Sequence, residues 1–367
     1  KYIKDTTSIY SIMYFIIVSL LFISCHGFTV TMSNKMTTNW NNLQFSVKES
    51  ARKWFISRAT KKGIPWNSLY DKNVALQDEI VKRMEEKEDK SISYPNYFIR
   101  PFHGYDDGNM NWRAVHEAEA ATLSIAAGYW ENIDPYITQE WMRSNITKNI
   151  KDYYEDIQTT LPKKILDVGC SIGISTEFLY RDFHDISSVD GIDLSPYFIA
   201  LADYRADDQK LKIDYTHGNA ENTPYVENTY NLIVCNFVFH ELPEEAANDI
   251  MNELYRILSY DGVLAIVDMD PKHLDKTLNN NVFRKWAFES TEPHIYNYYL
   301  RDTKNMLSKC GFQSIEKRRN DPLNSVWLGV KRHDYAPLKL KAFPSKRKVK
   351  KTEEDNNNII NMKQLIT

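Results

Sequence analysis

The residues best suited to chemistry begin with Asp167, Gly169 and Gly173, in the run Ile165-Leu166-Asp167-Val168-Gly169-Cys170-Ser171-Ile172-Gly173-Ile174-Ser175. Glycines there let a backbone loop approach a ligand closely, and a helix starting just beyond directs its free N–H groups and positive end at the same point. The pattern is not a dinucleotide fingerprint, because Ser171 stands where G-x-G-x-x-G requires its middle glycine. Asp167 would also repel a pyrophosphate. A carboxylate at that place suits a ligand carrying a cationic group, such as an ammonium.

Further along, Asp193 is placed to accept hydrogen bonds from both hydroxyls of a ribose. In Gly218-Asn219-Ala220-Glu221, Asn219 can offer its amide to an adenine edge. Asn236 and the following Phe237-Val238-Phe239-His240-Glu241-Leu242 lie beside the place where a reacting group belongs, with Phe239 and Glu241 as acceptor-binding candidates. His240 has two readings, a general base near an acceptor or a helix-start histidine bonded to backbone. The aromatic segment from Tyr94 to Trp112 reads as a lid in which His103, Tyr105 and Asp106 contact a ligand, or as a strap packed over the sheet edge. Cys170 and Cys235 read as core fillers rather than nucleophiles, and no His/Asp/Glu group has a coordination spacing, so no metal is expected.

These residues need a sheet to position them. Lys164 to Val168, Ser188 to Asp193, Ile213 to His217, Asn231 to Asn236 and Val263 to Asp268 read as strands. Helices are expected over Ser175 to Phe183, over Pro196 to Ala206 with Ser195 as N-cap, and over Pro243 to Leu258. Alternation of this kind predicts a doubly wound α/β fold with a mostly parallel sheet. Gln313 to Arg319 and Ser325 to Arg332 are too close in sequence for anything but an antiparallel hairpin closing that sheet. Upstream, Asp71 to Lys90 and Ala114 to Trp130 read as helices, and Asp261-Gly262 as a turn into the fifth strand.

In order and spacing, the blocks ILDVGCSIGIST, GIDLSPYFIALA, GNAENTPYVENTYNLIVCNFVFHELP and LYRILSYDGVLAIVDMDP resemble the type 11 group of class I methyltransferases that use S-adenosylmethionine. The blocks PFHGYDDGNMNWRAVHEAEA and MDPKHLDKTLNNNVFRKWAFESTEPHIYNYYL resemble a plant and algal branch of that group. The resemblance implies a seven-stranded sheet with a reversed last strand and S-adenosyl-L-methionine as cofactor. It implies a cofactor site made of Asp167, Gly169, Cys170, Gly173, Asp193, Leu194, Asn219, Ala220 and Asn236. The aromatic lid, with Trp286, Tyr296, Tyr298 and Tyr299, points to a small aromatic or apolar acceptor. Methyl transfer from a sulfonium needs alignment more than a dedicated base. A catalytically silent relative that only binds or assembles is the rival, as is a protein or RNA methyltransferase; a nicotinamide oxidoreductase is disfavoured by the failed fingerprint and by Asp167.

The 367 residues are 43% hydrophobic and 26% charged with a net charge of -3, which excludes fibrous and wholly disordered chains and argues against nucleic acid as the main partner. Residues 1–27 have the basic start, short apolar centre and small-residue exit of a signal peptide or an anchor, which would bring membrane contact. Residues 28–48 are hydroxylated and acid-free, as in a transit segment. Together they predict a plastid destination, with a membrane-anchored or secretory protein as the alternative. The expected organisation is then N-terminal helices and lid over 49–160, the catalytic domain over 161–335, and a basic, Asn-rich disordered tail over 336–367.

Overall fold

The computed structural model describes residues 52–101, 105, 107–130, 132–279 and 292–333. The leader, the tail, and the lid residues Phe102, His103 and Asp106, together with Trp286, lie outside the described residues.

Seven strands form one sheet in the order β3-β2-β1-β4-β5-β7-β6. They are β1 (Lys164–Val168), β2 (Ser188–Asp193), β3 (Ile213–His217), β4 (Tyr230–Asn236), β5 (Leu258–Met269), β6 (Gln313–Arg319) and β7 (Asn324–Val330). β1 to β5 are parallel, and β7 pairs antiparallel with both β5 and β6. The expected mostly parallel sheet with a C-terminal antiparallel hairpin is therefore what the chain forms. β4 reads YNLIVCN and is buried along almost its whole length, as a central strand covered on both faces must be. The order in which strands are added to the sheet reverses between the parallel neighbours β1 and β4, so the crevice above their carboxyl ends is the place where such sheets take ligands.

Several helices differ from the sequence reading. The single helix expected from Asp71 to Lys90 is two, Trp66–Ala75 (α2) and Gln77–Lys87 (α3), following helical turns over 52–61 (α1). The break at Leu76, φ -91° and ψ 3°, lets the two helices serve different partners. Trp66 and Leu69 of α2 pack with Ala120 and Leu123 of α4 (Trp112–Ala127), whereas Ile80 of α3 packs with Phe198 and Leu201 of α7 (Pro196–Asp208). α6 is Ile174–Asp182 and α8 is Glu244–Ile257, each close to its expected place. The expected Asp261-Gly262 turn lies inside β5: Asp261 adopts φ +62° and the β4–β5 register shifts between Tyr230 and Leu232, so the strand passes through a bulge.

The sequence reading has no counterpart for α5, Pro135–Asp156, the longest helix among the described residues. Its start is well marked, with Asp134 accepting the N–H groups of Tyr136 and Ile137 and Pro135 in the first position. Ile146, Ile150, Tyr153 and Tyr154 cover one face of the sheet against Ile165, Leu232, Val234, Val263 and Val326. Three shorter helices have no counterpart either, Pro271–Asn279 (α9), Ile295–Leu300 (α10) and Thr303–Cys310 (α11). Among the described residues no helix is long and apolar enough to cross a membrane.

Because Ile150 is wholly buried between α5 and the sheet, Ile150→Ala is expected to lower the unfolding free energy by about 2–5 kcal/mol. Urea denaturation followed by far-UV circular dichroism measures it, and a loss below about 0.5 kcal/mol would contradict this packing.

Candidate cofactor and acceptor site

Asp167, next to last in β1, is completely buried. Its Oδ2 accepts the hydroxyls of Ser175 at 2.5 Å and Thr176 at 2.8 Å, and its Oδ1 accepts Asn236 Nδ2 at 3.3 Å. Burial raises its pKa, opposed by these donors and by the nearby Arg143. The carboxylate expected to face a ligand's ammonium thus fastens β1 to the first turn of α6 and to the end of β4.

The loop after it depends on left-handed backbone. Gly169 has φ +69°, and a Cβ there would lie 2.4 Å from Val238 Cγ2. Gly173 has φ +82°, and its Cβ would lie 2.3 Å from the Tyr215 hydroxyl. Ser171, in the place of the missing middle glycine, also adopts φ +51°. Its N–H donates to Asp193 Oδ2 at 2.8 Å, while Ser195 N–H donates to Oδ1 at 2.9 Å. Asp193 therefore anchors two loops at once. Desolvation, with help from the carboxylates of Glu241 and Asp167, pushes its pKa up to about 6 against those two N–H donors. Cys170 turns its sulfur into the core beside Tyr215, and burial pushes its thiol well above the usual range, as it does for Cys235.

On the far side of Asp193, Leu194 is half-buried and its carbonyl accepts His217 Nε2 at 3.1 Å. Asn219 is half-buried and turns its Oδ1 back to the N–H of Glu221 at 2.9 Å, and Ala220 packs on the core. At the end of β4, Asn236 is 8% exposed, and its Oδ1 is buried without a hydrogen-bond partner. The structure thus gathers Asp167, Gly169, Gly173, Asp193 and Asn236 at the switch between β1 and β4.

Two of the expected acceptor-site residues have partners within the protein. Phe239 is 1% exposed in the main hydrophobic cluster, because the short 3-10 turn Phe239–Glu241 points its ring inward. Tyr105 donates its hydroxyl to Glu117 Oε2 at 2.6 Å, which fixes it to α4. Glu241 stays half-exposed at the rim, with one oxygen 3.9 Å from His240 Nε2. His240 is held by Asp268 at two points, Nδ1 to Oδ1 at 2.9 Å and backbone N–H to Oδ2 at 3.0 Å. Although burial works against the charged ring, Asp268 at contact distance, helped by Glu241 and Glu292, raises its pKa to about 10. At neutral pH it is an imidazolium, suited to orienting groups rather than to removing a proton.

The strap before α4 contributes contacts that sequence reasoning missed. Asp89 N–H donates to His217 Nδ1 at 2.9 Å, so His217 is neutral with its proton on Nε2, shared between Leu194 O and Tyr94 Oη at 3.3 Å. Tyr97 donates to Glu221, and Ser195 donates to Asn109 O at 2.7 Å. The strap is therefore fastened over the ends of β2 and β3. The signal available was the histidine closing β3, which packing alone does not require.

Residues 165–262 match a family model described as a methyltransferase domain. The demethylmenaquinone methyltransferase of Lactiplantibacillus plantarum is 26% identical over 176 residues, covering 42% of this chain and 72% of that protein. An uncharacterized methyltransferase of Synechocystis sp. is 27% identical over 115 residues, 31% of this chain and 51% of that protein. The chain spans about half of other demethylmenaquinone methyltransferases that it matches, 48% of the one from Lactobacillus johnsonii. A SAM dependent methyltransferase from Aquifex aeolicus superposes with a TM-score of 0.39 at 19% identity over 50% of this chain and 88% of its own. Residues 165–262 are thus similar to a methyltransferase domain, and the expected cofactor, S-adenosyl-L-methionine, agrees with that match.

Two outcomes test the loop and the imidazolium. Gly173→Ala should cost about 1–3 kcal/mol of stability through strain and its collision with Tyr215, whereas Ser171→Gly should be neutral or stabilising by up to about 1 kcal/mol; chemical denaturation measures both, and the reverse order would refute the loop geometry. The raised pKa of His240 makes its stabilisation fully present below the unfolded value near 6.5, and lost as pH rises through about 10. His240→Gln should accordingly differ most from wild type near pH 6 and converge on it toward pH 10, and an imidazole that titrates near 6.5 by NMR would disprove the pairing.

Proposed function

We propose that this protein is an S-adenosylmethionine-dependent methyltransferase acting on a small aromatic or apolar acceptor. The observation that carries the reading is the joint arrangement at the β1–β4 switch. Asp193 is bonded to both flanking loops beside a glycine turn that a Cβ would obstruct. The residues fit the cofactor in kind. The carboxylate of Asp193 suits ribose hydroxyls, the loop at Gly169 to Gly173 admits close approach, and the orphaned Asn236 Oδ1 suits an ammonium donor.

When bound, the cofactor supplies a sulfonium methyl group open to in-line displacement. The chain's part is to align the partners and exclude water, which can account for ~7–11 kcal/mol of barrier lowering. Asp193 fixes the nucleoside end, and the strap covers it through Tyr94, Tyr97 and Asn109. The imidazolium of His240, 6.3 Å from the Tyr298 ring, orients an acceptor and offers a positive charge beside a developing oxyanion. The aromatic residues of the strap, Tyr94 and Tyr97 among them, support an aromatic acceptor. The relatives named for demethylmenaquinone support the same class of small molecule.

Calorimetry on the full chain tests the reading. S-adenosylmethionine and S-adenosylhomocysteine should bind saturably, NADH should not, and Asp193→Ala should weaken both nucleosides by about tenfold or more, as loss of charged hydrogen bonds does. A folded protein that binds neither nucleoside would falsify the proposal.

A further inference from the structure

Arg143 is a cation that the mechanism above leaves unused. It lies in the N-terminal half of α5, is 6% exposed, and has no carboxylate within ion-pair distance among the described residues. Its Nε donates to Gln139 Oε1 at 3.4 Å, its guanidinium carbon lies 5.9 Å from the centre of the Phe237 ring, and its Nη1 is buried with no acceptor. Burial lowers its pKa to about 10, which leaves it charged at neutral pH. Asp167 is near enough to act on it electrostatically but is already engaged by Ser175, Thr176 and Asn236.

A buried guanidinium with an unmade hydrogen bond is costly to keep unless something completes it. The residue just before Phe237 is Asn236, bonded to the same Asp167, and its Oδ1 is the second orphan. One orphan is a cationic donor and the other a neutral acceptor, and both residues lie close to the carboxylate of Asp167. A ligand that satisfies both carries an anionic acceptor and an N–H donor a few bonds apart, which is the chemistry of an α-amino acid. A carboxylate matches the planar fork of arginine, and an ammonium matches an amide oxygen close to a carboxylate.

Resting on the cofactor reading above, we propose that Arg143 and Asn236 form a two-point receptor for the α-amino acid end of the cofactor, with Arg143 taking its carboxylate. Phe237, at φ +60° with its ring by the guanidinium, borders this receptor.

The test compares S-adenosylmethionine with its decarboxylated analogue by calorimetry, in wild type, Arg143→Met and Arg143→Lys. Wild type should prefer the intact cofactor by about tenfold to a hundredfold, the value of a charged bidentate hydrogen bond. Arg143→Met should abolish that preference by weakening the intact cofactor while leaving the analogue's affinity unchanged, which also shows that the variant is folded. Arg143→Lys should retain part of the preference, since it keeps the charge and loses the fork. Equal binding of both compounds by wild type, or an undiminished preference in Arg143→Met, overturns the assignment while leaving the cofactor reading intact. Weakened binding of a carboxylate-bearing acceptor in Arg143→Met, with the cofactor preference kept, would move the receptor to the acceptor and equally refutes it. Failure of wild type to bind either compound defeats both readings together.

Discussion

The buried carboxylate of Asp167 is the constraint on which the rest of the site depends. A charge removed from water must be met by donors, and here they come from two separate stretches of chain: two hydroxyls in the first turn of α6 and the amide at the end of β4. That requirement sets the position of the glycine loop relative to the strand before it and brings β4 against β1 at the switch of the sheet. Val238 then closes over Gly169 so tightly that no side chain fits there. Asp193 repeats the device one strand away with two backbone N–H groups. Two anionic strand ends, satisfied from different sides, give a rigid rim around a crevice.

Outside this rim the layout is asymmetric. The sheet face under β1, β4, β5 and β7 is covered by α5, whose tyrosines donate their hydroxyls across the sheet margins, Tyr153 to Ser314 O and Tyr154 to Asn231 O. The opposite face carries α8 and α11, while α7 lies over β2 and β3 on the same side as α5 and packs against α3 and α4. The N-terminal helices are thus joined to the sheet through a continuous apolar layer, and the strap between α3 and α4 is held at both ends by packed helices.

Much of this was legible in the sequence because it rests on local rules. Strands β1, β2 and β3 begin and end where the sequence pattern places them, and the short connection between β6 and β7 left no alternative to a hairpin. Gly169, Gly173, Asp193 and Asn236 were legible because a strand end followed by a glycine turn, with a polar residue closing each neighbouring strand, is the pattern a ligand-binding sheet edge requires. The rest depended on tertiary partners. α5 is hidden in the sequence because its buried face includes Thr138, Gln139, Arg143 and Thr147, which blunt the apolar period. Phe239 and Tyr105 carry the right chemistry for an acceptor site, and only packing shows that one ring faces the core and that the other hydroxyl has Glu117 as its partner. The histidine closing β3 is visible in the sequence, and only the fold shows that Asp89 and Tyr94 of the strap are its partners.

The clasp has a consequence for traffic through the crevice. His217, Glu221 and Ser195 fasten the strap over the ends of β2 and β3, whereas the ends of β4 and β5 lie beyond those fastenings. A nucleoside seated at Asp193 would be shut in from one side, and a second molecule would approach from the other. Exchange of the first would require several hydrogen bonds to open together, so its departure would be slower than that of the second.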